Sequence, residues 1–90
     1  MTATFTSGIP AVDRYLANGY DDVRGMSSRF SATITGYLLR RQSELGVTGS
    51  VAEIGTFEGR YFIALGLSLA PGEHAYGFDL FDWPGCQLLQ

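Results

Sequence analysis

The sequence contains no lysine, one cysteine and one histidine. Each scarcity excludes a class of function. Without lysine there is no phosphate-cradling Walker loop, which closes on Gly-Lys-Ser/Thr. The six arginines are scattered and the formal charge is -3. A nucleic-acid-binding face needs clustered basic charge, and so does a polybasic membrane anchor. Cys86 alone cannot form an internal disulfide, and with His74 alone it makes no metal-ligand cluster. The N-terminus, MTATFTSGIP, has no basic segment and no apolar core of signal length. The longest apolar stretch, residues 62–70, is interrupted by Gly66 and Ser68. It is too short to span a bilayer. The expectation is a soluble, cytoplasmic protein with no metal, nucleic-acid or membrane partner.

Apolar residues make up 46% of the ninety and charged residues 17%. That is a globular composition, for one small domain with a modest core. The first ten residues read as a loose arm. Pro10 suits the first turn of a short helix over 9–17, stopped by Asn18-Gly19. Residues 1–19 are thus an arm with a short helix, and 20–90 carry the main domain. Asp21-Asp22 reads as a connector.

A longer helix is predicted over 26–45. Met26, Phe30, Ile34, Tyr37, Leu38 and Leu45 fall at spacings of three and four, as one buried face requires. Ser27 or Ser28 caps its start, and Gly46 suits a left-handed close. Arg40 and Arg41 suit its last turn. Residues 50–54 read as a strand, 58–69 as a helix apolar nearly all round, and 75–80 as a second strand. Two strands joined by a helix form a parallel pair. Parallel sheets are covered on both faces. The 26–45 helix is expected on one face and the 58–69 helix on the other. The fold class is α/β, the start of a doubly wound sheet.

The most pointed stretch is VAEIGTFEGR, residues 51–60. A strand empties into a turn with glycines four apart, Gly55 and Gly59, and Glu53 stands at the strand's end. Ligands of open α/β sheets bind beyond the carboxyl ends of the strands. Glycines there let a ligand approach the backbone. The dinucleotide fingerprint needs glycines at positions one, three and six. Counting from Gly55, those positions hold Gly55, Phe57 and Arg60. The pattern fails, so a nicotinamide or flavin cofactor is not expected. Glu53 would repel a pyrophosphate and favour an ammonium or sulfonium. Asp79 ends the second strand, where an acid accepts hydrogen bonds from ribose hydroxyls. Together these residues suggest S-adenosylmethionine.

VAEIGTFEGR followed by HAYGFDLFD resembles the first two motifs of class I S-adenosylmethionine-dependent methyltransferases. It is most similar to the bacterial small-molecule enzymes whose first motif reads Glu-Ile-Gly-x-x-x-Gly. LLRRQSELGVTGSVAEIG is similar to their preceding helix and entry strand. The resemblance covers roughly residues 20–83. It implies a Rossmann-like parallel sheet, here stopping after its second strand, with helices before it. It also implies that Glu53, Gly55 and Gly59, with Thr56 and Phe57 between the glycines, line the methionyl end of the cofactor. Asp79 would hold the ribose. The family's fuller pattern has a middle glycine where this chain has Phe57. The implied activity is methyl transfer to an oxygen or nitrogen of a small molecule. No catalytic base can be named.

Blander readings stand beside these. Glu53 and Asp79 can be solvated strand ends, and the glycines simple turn residues. His74 reads as a surface residue and Cys86 as an idle thiol. Tyr61, Phe62, Phe78 and Phe81 read as core. Trp83 packs or flanks an adenine, and Asp82 caps or makes a polar contact. A rival to the enzyme is a non-catalytic half-domain that binds a nucleoside or a partner chain. Two parallel strands leave open edges, so self-association or a missing C-terminal half is expected.

Overall fold

The computed structural model describes residues 5–81, so the readings of Asp82, Trp83 and Cys86 lie outside the described residues. Helix α1 (Pro10–Asn18) is followed by a 3-10 turn (Tyr20–Asp22). Then come α2 (Arg29–Glu44), β1 (Val51–Ile54), α3 (Arg60–Leu67) and β2 (Ala75–Phe78). The chain is a small α/β domain with a two-stranded parallel sheet.

Local chemistry explains the element ends. Pro10 opens α1, where its missing N–H is no loss. Ser28 caps α2 by accepting from the Ser31 N–H at 3.1 Å. Helix α2 therefore begins three residues later than the apolar spacing suggested. It closes through Gly46, at φ 79. The Val47 N–H bonds Gln42 O at 2.8 Å and the Gly46 N–H bonds Ser43 O at 3.1 Å. That is a Schellman close.

The segment before α1 is not a loose arm at Ser7, which is wholly buried. Its N–H and Oγ both donate to Asp13 Oδ1, at 3.0 and 2.7 Å. The core joins α1 to its neighbours through Val12, Leu16, Tyr20, Ala32 and Ala64, with Ile9, Tyr15 and Tyr61 packed against it. Tyr15 meets Tyr20 edge to face at 5.5 Å.

The buried face of α2 differs from the expected one. Met26 lies outside the helix and fully exposed, and Phe30, Leu38 and Leu45 are exposed too. Ala32, Thr33 and Gly36 are the buried residues of the helix. Close approach is the physical reason. A Cβ on Gly36 would lie 2.9 Å from Ser7 Cβ and 3.4 Å from Ser68 Oγ. Small side chains let this face come near its neighbours, and large ones are left outside.

Both strands alternate half-buried and exposed residues. The register pairs Val51 with Ala75, Ala52 with Tyr76, Glu53 with Gly77 and Ile54 with Phe78. Val51, Glu53, Ala75 and Gly77 are half-buried; Ala52, Ile54, Tyr76 and Phe78 are exposed. Helix α3 packs against β2, and α2 packs against α1 and α3. The expectation that α2 covers the second sheet face does not hold, because its small-residue face is taken up by the other helices. Among the described residues nothing covers that face. Phe78 and Phe81 are accordingly exposed rather than core. Helix α3 is also less enclosed than its composition suggested, with Ala64 and Leu65 buried but Ile63 and Leu67 at the surface.

Candidate functional site

The turn after β1 is built on left-handed backbone at three of its five residues. Gly55 has φ 83, Phe57 φ 54 and Gly59 φ 93. For glycine this costs little; for phenylalanine it is uncommon. Phe57 is the position where the resembled motif carries glycine. Its conformation is held from the next strand. The Phe57 N–H donates to Asp79 Oδ2 at 2.8 Å, and the Phe81 N–H donates to Asp79 Oδ1 at 3.1 Å. These two donors push the Asp79 carboxyl below its ordinary range. The Gly55 N–H bonds Phe78 O at 2.7 Å, and the Thr56 hydroxyl donates to Glu53 O at 3.2 Å. Gly59 is buried and caps α3, its N–H bonded to Thr56 O at 2.9 Å.

Glu53 is half-buried beside this turn. Its register partner is Gly77, where a Cβ would lie 2.7 Å from Thr56 Oγ1. Burial pushes the Glu53 carboxyl up, with no cation to offset it. Its Oε1 is closed off from solvent and has no hydrogen-bond partner.

Glu53, Gly55, Thr56 and Phe57 line one wall of a cavity of about 350 Å³. Arg60 and Tyr61 continue it along α3. The opposite wall is the connector, at Arg24, Gly25, Met26 and Ser27. The sequence reading missed this wall, because it gave Met26 and Ser27 to the start of the long helix, and only the fold brings them to the glycine turn. Two arginines tie it there. Arg24 donates to Glu58 Oε1 from Nη2 at 2.6 Å and from Nε at 3.1 Å. Its guanidinium also lies 5.5 Å from the Phe57 ring centroid. Arg60 donates from Nη1 to Gly25 O at 3.0 Å and from Nη2 to Asp21 Oδ1 at 3.1 Å. It lies 4.3 Å over the Tyr20 ring. Gly25 is required here, since a Cβ would sit 2.9 Å from the Arg60 side chain.

Asp79 stands apart from that cavity. With Ile54, Gly55, Phe78 and Leu80 it lines a second hollow of about 390 Å³ at the sheet's end. Gly55 borders both spaces. The two acids singled out in the sequence therefore flank the turn rather than share one pocket. His74 is exposed.

No family model, curated protein or solved structure matches the chain. What is established is the class of fold, a small α/β domain. Among the described residues no helix is long and apolar enough to cross a membrane.

Proposed function

We propose that the chain is the S-adenosylmethionine-binding part of a methyltransferase that acts on an oxygen or nitrogen of a small molecule. The observation that carries this reading is the unpartnered Glu53 oxygen on a cavity wall beside a glycine turn. A half-buried carboxylate without a cation favours a positively charged ligand. The residues fit the cofactor in two further respects. Among the described residues, and apart from its two chain neighbours, nothing lies within 4 Å of where a Cβ on Gly55 would sit, so the backbone there is open to close approach. Each Asp79 oxygen accepts a backbone N–H. Lone pairs remain on both for ribose hydroxyls.

On this reading Glu53 holds the charged methionyl end, Gly55, Thr56, Phe57 and Gly59 shape the turn around it, and Asp79 orients the ribose. The bound cofactor supplies a methyl group on a sulfonium. The protein's contribution is orientation of donor and acceptor. The reading includes self-association of the chain, since among the described residues each strand of the two-stranded sheet keeps an unpaired edge.

Calorimetric titration with S-adenosylhomocysteine and, separately, with NAD tests the proposal. Binding of S-adenosylhomocysteine in clear preference to NAD is expected. Equal or tighter binding of NAD overturns it.

A further inference from the structure

Helix α2 buries one face, at Ala32, Thr33 and Gly36, and leaves another without a partner among the described residues. The second face has the greater apolar bulk. Phe30, Ile34, Tyr37 and Leu38 recur at spacings of three and four, along one side of the helix, and Leu45 at its close extends the line. Phe30, Leu38 and Leu45 are each at least half exposed. Phe5 widens the stripe. Its ring is half exposed and lies 6.4 Å from Phe30 and 5.7 Å from Tyr37.

The area suits an interface. An aromatic side chain presents about 150–250 Å² and a leucine somewhat less, so Phe5, Phe30, Leu38 and Leu45 at this exposure offer roughly 400–500 Å². Two such stripes face to face hide about 1,000 Å², the size a specific interface must clear. The half-buried Ile34 and Tyr37 add to that.

The spacing suits a second copy. The middle of the stripe lies between Tyr37 and Leu38. Phe30 stands seven residues before Tyr37, and Leu45 seven after Leu38. Two copies running antiparallel about a two-fold axis therefore set Phe30 of each against Leu45 of the other. A two-fold interface requires this kind of self-complementarity. Charge favours the same direction. Glu44 takes both Arg40 and Arg41 at 2.8 Å, two arginines against one glutamate, so the cluster is net positive. An antiparallel pair keeps the two clusters at opposite ends, and it opposes the helix dipoles.

We infer that α2 is a dimerisation surface, on which a second copy of this chain docks its own α2 antiparallel along the Phe30–Leu45 stripe. The inference rests neither on the cofactor reading nor on the open sheet edges.

The test is disulfide trapping of the full chain in a Cys86→Ser background, with copper phenanthroline as oxidant. Leu38→Cys should give a covalent dimer, since the two copies of that position meet at the two-fold axis. Phe30→Cys should not, because its two copies lie about 20 Å apart along the helix axis. A disulfide needs Cα atoms within about 7 Å. The double variant Phe30→Cys, Leu45→Cys should crosslink again. In sedimentation, Leu38→Glu should weaken self-association roughly tenfold or more, as loss of a central contact does, with unchanged helix content. Ile54→Ser, on the bare sheet face, should leave the Leu38→Cys dimer in place. Crosslinking of Phe30→Cys as readily as Leu38→Cys overturns the inference, as a parallel or unspecific contact. Absence of the Leu38→Cys dimer overturns it and leaves the stripe to another kind of partner. Loss of that dimer on Ile54→Ser moves the interface to the sheet and overturns it too.

Discussion

The two sides of the sheet have met opposite fates. On the helical side Val12 and Tyr20 are wholly buried, and Ala32 and Ala64 nearly so. On the other side Ile54 is 89% exposed and Phe78 55%. Apolar side chains alternate onto both faces of β1 and β2, so hydrophobicity alone does not separate them. What separates them is the availability of a partner. Helices α1, α2 and α3 pack on one another, α2 through its small residues, and among the described residues that mutual packing leaves none for the second face. A buried face is therefore a property of shape as much as of composition.

The largest effect should come from the helical side. Tyr20→Ala removes a fully buried ring and the surface under the Arg60 guanidinium. A loss of about 3–5 kcal/mol is expected for a large aromatic truncated in a core. Chemical denaturation measures it. A loss below 1 kcal/mol would show that this side is packed no better than the open one.

Gly36→Ala probes the same side by overfilling it. The new Cβ would meet Ser7 Cβ at 2.9 Å. Overpacking typically costs about 1–3 kcal/mol. Alanine's helix propensity offsets about 1 kcal/mol of that. A net stabilisation in thermal melts would mean that α2 can move outward freely.

The two carboxylates at the strand ends sharpen the comparison through pH. Asp79 has a depressed folded-state pKa, so its contribution to stability is present above its unfolded value. That contribution is lost as pH falls through the folded value. Asp79→Asn should lower stability at neutral pH and flatten the acid limb. Glu53 is the opposite case. Its folded pKa is raised by burial, so the ionised group burdens the fold above that pKa, and the burden lifts as pH falls through it. Glu53→Gln should leave neutral-pH stability unchanged or higher while weakening S-adenosylhomocysteine binding. Melting curves from neutral to acid pH check both signs, and a Glu53→Gln chain less stable at neutral pH would refute the second.

Ile54→Ser should have the smallest effect on stability, within about 0.5 kcal/mol, because the side chain touches little. Its effect should appear instead in sedimentation across a dilution series, as weaker self-association than the unaltered chain shows. A chain that is monomeric at every concentration would show that the open face and edges recruit no second copy.

Local signals were legible in the sequence. Pro10, Ser28 and Gly46 stand where the helix ends need them. The strand, glycine turn, helix and strand over 51–78 follow the predicted order. The αL conformation at Phe57 could not be read from a residue type that rarely adopts it. The period-three-and-four stripe of α2 misled for a related reason: it records apolar positions but not the distance to the neighbouring helix. At Gly36 that distance admits no larger side chain.

The sequence by itself determined the order of the elements, their caps, and the standing of Glu53 and Asp79 at the ends of neighbouring strands. Those features depend on residues a few positions apart, whose backbone preferences act locally. Only the tertiary structure decided that α2 buries its small residues, that one sheet face stays bare among the described residues, and that residues 24–27 and the glycine turn line one cavity. Each of these depends on how segments tens of residues apart approach one another. Arg60 shows the difference most plainly. In the sequence it is the residue after a glycine; in the fold its guanidinium reaches Gly25 and Asp21 and lies over Tyr20.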